Sequence, residues 1–248
     1  MTASPDVYLP PDVAAALDEL GSSLRTEAGD NLLGLILYGG LVRGRYNPQT
    51  SDINVVVLLR DASADAMAKI ARPLHAAWRA KRVEPLIIAP TELPRLALAF
   101  PTKVLDIQRR HIALLGDDPF DGIEVSRDLI RLRVEQELRN LVLRMRRRFI
   151  AIHDDPAALA AAVDDAAATL AVNLRALLFL REIVSDERQP ALAIYERAAQ
   201  TFGLDADALD AMKRLHRSPD DAMVSTELFG RLLSTIAKAA DIATSMEP

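Results

Sequence analysis

Cysteine is absent from the 248 residues, so disulfides, thiolate zinc sites and cysteine nucleophiles are excluded, and a reducing cytoplasmic setting is the expectation. No charge of one sign dominates. The 30 Lys and Arg against 35 Asp and Glu leave a formal net charge of −5, which argues against a general nucleic-acid binder while leaving local basic patches open. The N-terminus, MTASPDVYLPPD, lacks the basic-then-apolar order of a secretory signal, and no apolar run is expected to approach membrane-spanning length. His75, His111, His153 and His216 are scattered without metal-ligand spacing. Walker loops, dinucleotide fingerprints and Gly-x-Ser-x-Gly elbows are missing, and no repeat of fixed period stands out.

What is present is a chain 50% hydrophobic, enough for a sizeable core in one large or two modest domains. Its organising stretch is Leu33 to Arg60, LGLILYGGLVRGRYNPQTSDINVVVLLR. Strand formers at Leu35 to Tyr38 stop at Gly39-Gly40, where the backbone can turn tightly. A short helix over Leu41 to Tyr46 would then present free N–H groups above the strand end, as a phosphate cradle does. Ile53 to Leu59 is continuously apolar and suits a strand covered on both faces. Asp52 and Asn54, two apart, would share one face.

These residues, Gly39-Gly40, Arg43-Gly44, Pro48 and Ser51-Asp52-Ile53-Asn54, resemble the signature of the nucleotidyltransferase superfamily that includes polymerase beta and the aminoglycoside nucleotidyltransferases. That signature is Gly-Ser followed by two Asp, one apolar residue apart, which hold magnesium. Gly40 stands where the family's Ser contacts the triphosphate, and Asn54 where its second Asp binds metal. The resemblance implies transfer of a nucleoside monophosphate, AMP from ATP, to a hydroxyl of a small molecule or a protein. Under it, Asp52 and Glu84 carry metal or base roles, Asn54 is a neutral metal ligand, and Gly39, Gly40, Arg43 and Ser51 position phosphates. The two departures point to the alternative, a weak or inactive member that binds a nucleotide or partner as a sensor or toxin–antitoxin component. Self-association as a homodimer is left open.

Along the chain, Val13, Leu17, Leu20 and Leu24 mark a first helix, capped at Asp12 or a neighbour and running to about Thr26. Met67, Ile70, Leu74 and Trp78 mark a second, kinked at Pro73. Val83 to Ile88 reads as strand, Thr91-Glu92 begins a short helix broken at Phe100-Pro101, and His111 to Leu115 is an edge strand. Asp117 to Glu124 reads as a linker. Val134, Leu138, Leu141, Met145, Phe149 and Ile152 place a long helix over Asp128 to Ile152, followed by helices over 166–184, 191–202, 206–216 and 226–243. Breaks fall at Gln189-Pro190, Gly203 and Ser218-Pro219. The expected architecture is an α/β domain with a mixed sheet over 1–124 and a helical bundle over 125–248. This layout is similar to that of the aminoglycoside nucleotidyltransferases, whose acceptor lies between the halves.

Each candidate also has a plain structural reading. Asp52 also reads as a helix or turn cap, Ser51 equally as a backbone hydrogen-bonding group, and Asn54 as a polar strand end. Asn54 brings no charge, and a unit charge about 4 Å from a cation, at an effective dielectric of about 20, is worth about 4 kcal/mol gross. Glu84, an acid in an apolar strand, either faces the cleft with Asp52 or lies at the strand's exposed start beside Arg82. Arg43 and Arg45 are phosphate ligands or surface arginines. The run Arg144 to Arg148 is a phosphate patch or a solvated helix face. The acids Asp154, Asp155, Asp164, Asp165, Glu182 and Glu196 are solvated or recognise a cationic acceptor.

Overall fold

The two apolar runs beside the glycine pair form the centre of a four-stranded sheet. The computed structural model describes residues 7–44, 46–48, 51–183, 191–217 and 222–246. In it β1 (Leu32–Tyr38) and β2 (Ile53–Leu59) pair antiparallel. β3 (Val83–Ile88) joins β2 in parallel and β4 (His111–Leu115) joins β1 antiparallel, giving the order β3-β2-β1-β4 and the expected mixed sheet. Pro85, which has no N–H to donate, is tolerated because β3 is an edge strand.

Both faces of the two central strands are covered, which is why their sequences do not alternate. On one face, Val13, Leu17, Leu20 and Leu24 of α1 (Pro11–Ala28) and Ile70 and Leu74 of α2 (Ala64–Lys81) join Leu35, Leu37, Val55 and Val57. On the other, Leu93 and Ala97 of α3 (Leu93–Ala99) and Val104 and Ile107 of α4 (Pro101–Arg109) join Ile36, Tyr38, Val56 and Leu58. Each fully buried Leu, Ile or Val contributes about 1.5–3 kcal/mol of transfer free energy.

Several local expectations are corrected. Asp12 does not cap α1; Pro10 holds that position and the Asp12 carboxylate instead pairs with Lys81 at the end of α2. The expected break at Phe100-Pro101 is present, since α3 ends at Ala99, but Pro101 also opens α4, and Pro11 and Pro156 likewise stand first in their helices, where the missing N–H would have no partner anyway. Pro73 lies inside α2, which continues past it. The short helix expected to reach Tyr46 is a single 3-10 turn, Leu41–Arg43, ended by Gly44 in the left-handed region; Arg45 lies outside the described residues. The stretch expected as a linker is packed: Phe120 is buried, and the Gln108 side chain donates to the Phe120 and Ile123 carbonyls.

Contacts divide the chain into two units, Met1–Val125 and Ser126–Pro248. The second is all helical among its described residues: α5 (Arg127–Ile152), α6 (Pro156–Leu180), α7 (Ile194–Phe202), α8 (Ala206–Arg217) and α9 (Thr226–Ser245). The expected breaks at Gln189-Pro190 and Ser218-Pro219 lie outside the described residues, and Gly203 ends α7 at φ +60°. α6 begins ten residues before its expected start, at Pro156, capped by the Asp155 side chain on the Ala157 and Ala158 N–H groups. Its alanine run carries no periodicity but has the strongest helix propensity. Contrary to the sequence expectation, α6 is long and apolar enough to cross a membrane, yet 56% of that stretch is buried within the protein. It packs against α5, α7, α8 and α9.

Candidate functional site

Strand register brings distant residues into one row. Asn54 pairs laterally with Glu84 on β3 and with Tyr38 on β1, and Tyr38 pairs with His111 on β4. Directly paired residues project to the same face, so Glu84, Asn54, Tyr38 and His111 line one face at one end of the sheet. The glycine bend starts there. Gly39 has φ +85°, and a Cβ on it would lie 3.0 Å from Asn54 Nδ2, so this position needs glycine for both backbone and space. Gly40, at φ −60° and ψ −39°, has a backbone that any residue adopts, and it begins the 3-10 turn.

Asp52 stands just before β2, and its carboxylate accepts from Arg82 Nε at 2.7 Å. Arg82 caps α2 in the left-handed region at φ 53°, its N–H on the Ala77 and Trp78 carbonyls, while its own carbonyl accepts from Ile53 N–H. The backbone of Arg82 is therefore pinned. Its side chain is 54% exposed and that of Asp52 37%, so the pair contributes about 0–1 kcal/mol and is readily exchanged. Glu84 is exposed and makes no hydrogen bond or ion pair among the described residues.

Ser51 closes its own loop: its hydroxyl accepts from Asn47 N–H at 3.0 Å and its N–H donates to the Asn47 carbonyl. Arg43 is 7% exposed, and its guanidinium holds the Asp106 carboxylate at 2.7 Å and donates to the Asp106 carbonyl at 2.9 Å. It ties the turn after the glycine bend to α4. Asp52, Asn54 and Glu84 thus belong to adjoining strand ends, with Gly39 against Asn54, whereas Ser51 and Arg43 are engaged with protein groups.

Four further residues take part that were not among the sequence candidates for the site: Tyr38, Asp106, Arg82 and His111. Tyr38 is 8% exposed, and burial pushes its phenol up to about 12, with the Asp106 and Glu84 carboxylates adding to the effect. Its place at the strand end before a glycine pair was the available hint. Asp106 is linked to Arg43 across 63 positions, and the Arg82 contact spans 30. His111 is held at both ring nitrogens, by the Ile107 carbonyl and the Asp118 carboxylate, each at 2.8 Å. Among the described residues no three of His, Asp and Glu gather as a metal-binding cluster; Asn54 occupies the middle of the row.

No protein-family model matches the chain, and no curated protein sequence matches it. Its structure is similar to a spectinomycin adenyltransferase from Enterococcus faecialis solved with ATP and spectinomycin. The TM-score is 0.58 over 94% of this chain and 99% of that one, at 12% identity. The mixed sheet with its glycine bend, followed by a helical region, is a nucleotidyltransferase-like two-domain fold.

Proposed function

We propose that the protein is a nucleotidyltransferase that moves a nucleoside monophosphate, AMP from ATP, onto a hydroxyl of a small molecule or a protein. The observation that carries this reading is the lateral pairing of Asn54 with Glu84 beside Gly39, with Asp52 two residues earlier on the same strand end. Two carboxylates and an amide oxygen are hard donors. They suit a magnesium ion that arrives with its nucleotide and keeps phosphate and water ligands, rather than one enclosed in a protein cage. Such an ion, when bound, neutralises triphosphate charge and stabilises the leaving pyrophosphate.

The chain's own groups divide the remaining work. The bend at Gly39-Gly40 lets backbone approach the phosphates, and the turn that follows offers N–H groups. Arg43, through Asp106, fixes that turn against α4. Glu84, which makes no hydrogen bond or ion pair among the described residues, accepts the proton as the acceptor oxygen bonds to the α-phosphorus and the bond to the β-phosphate breaks. Tyr38, buried at the inner side of the row, is a neutral phenol at pH 7, as any tyrosine is, and its raised pKa extends that state to higher pH.

A second reading is a nucleotide- or partner-binding protein with little turnover, in a sensing or toxin–antitoxin role. The Arg82 contact favours it, because a guanidinium already occupies one oxygen of Asp52. Pyrophosphate release from Mg-ATP with pooled metabolites and proteins as acceptors separates the two. Release abolished by Asp52→Ala and by Glu84→Gln supports the transferase; tight Mg-ATP binding with no release supports the second reading.

A further inference from the structure

The helical unit holds a concentration of positive charge that the transferase reading does not use. α5 carries eight arginines. Arg127, Arg131, Arg133, Arg139 and Arg148 each pair with an acid. Arg144, Arg146 and Arg147 make no hydrogen bond or ion pair among the described residues. Two of these three line a hollow of about 320 Å³ between α5 and α6.

One wall of the hollow is Arg144, Arg147 and Arg148, with Leu141 and Met145 beneath; the other is Asp165, Ala166 and Thr169. Helical spacing explains the first wall, since positions 141, 144, 145 and 148 follow one another at three, one and three. Arg148 bridges to Asp165 at 2.7 Å across the gap. That leaves two guanidiniums against no free carboxylate. Thr169 adds a neutral donor. The hydroxyls of Thr26, Thr235 and Thr244 turn back onto the carbonyl one helical turn earlier. Thr169 makes no such bond among the described residues, so its hydroxyl is available to a ligand.

We propose that this hollow binds a small phosphate-bearing anion, with Arg144 and Arg147 as paired guanidinium forks and Thr169 as the third donor. Guanidinium forks match phosphate oxygens in bidentate geometry. The volume is at the lower end of small-molecule sites, so the occupant is a small polyphosphate or phosphate ester. The concave shape and the chain's net negative charge disfavour an extended nucleic-acid strand.

The test is isothermal titration of the full chain with inorganic pyrophosphate, without magnesium, on the wild type, Arg144→Gln/Arg147→Gln, Thr169→Val and Asp52→Ala. Both arginines are exposed, and a thermal melt confirms that the double variant folds. Saturable binding that weakens at least tenfold in the double variant, less in Thr169→Val and not in Asp52→Ala supports the site. Equal affinity in wild type and double variant, no saturable binding in the wild type, or loss in Asp52→Ala overturns it. So does a single-stranded RNA 12-mer that binds through the same arginines more tightly than pyrophosphate.

Discussion

Asn54→Asp supplies the carboxylate that the centre of the row lacks. The side chain at 54 lies beside Glu84 on the neighbouring strand and against Gly39, and Asp has nearly the shape of Asn, so the strand keeps its register. The gross Coulomb gain toward a cation about 4 Å away is about 4 kcal/mol at an effective dielectric of about 20. Glu84 is exposed and Asp52 is partly so, and a fully exposed pair retains only about 0–1 kcal/mol. A net gain between these limits, about 1.5–3 kcal/mol, corresponds to roughly ten- to hundredfold tighter magnesium binding. Without magnesium the added charge faces Glu84 across paired strand positions, where like charges destabilise. Thermal melts in EDTA and along a magnesium series, with titration calorimetry for affinity, measure both effects. The variant should melt lower than wild type in EDTA and gain more from magnesium. An unchanged magnesium dependence would refute the placement of position 54 in a cation site.

Gly39→Ala should cost about 1–2 kcal/mol in urea denaturation, because it combines φ +85° with a Cβ 3.0 Å from Asn54 Nδ2; Gly40→Ala, at φ −60°, carries no such backbone cost. Arg82→Gly keeps a residue suited to φ 53° and releases Asp52, so magnesium affinity should rise severalfold with the fold intact; no rise would mean that the guanidinium does not compete for Asp52. Tyr38 holds its proton more tightly folded, at about 12, than unfolded, near 10. Its stabilising contribution, about 2–3 kcal/mol, is complete below pH 10 and is lost as pH rises from 10 through about 12. Tyr38→Phe should therefore lose less stability between pH 8 and 11 than wild type in urea unfolding. Part of the alkaline loss should persist, since burial also raises the Tyr195 phenol in the helical unit. Equal losses would contradict the burial argument.

The strands were legible because their apolar runs end at punctuation: Gly39-Gly40, Ser51-Asp52 and Gly116 each bound one. The helix at 101–109 was hidden because Pro101 reads as a breaker, whereas at a first helical position it costs nothing. The early start of α6 was hidden for the opposite reason, since alanine favours helix without leaving a periodic pattern. At the site, residue types were legible, and the pairing of Asn54 with Glu84 required strand register, which no local pattern encodes. The grips of Arg82 on Asp52 and of Arg43 on Asp106 are long-range contacts of the folded chain. They show how a sequence can mark a strand end without marking which charge meets it.

Titration of Mg-ATP into the wild type and Asp52→Ala, with EDTA in place of magnesium as the reference, tests most directly whether the strand ends around the glycine bend form the nucleotide site. Saturable, magnesium-dependent binding that weakens at least tenfold in Asp52→Ala is the expected result. Equal affinity in the two proteins, or no binding by the wild type, would contradict it.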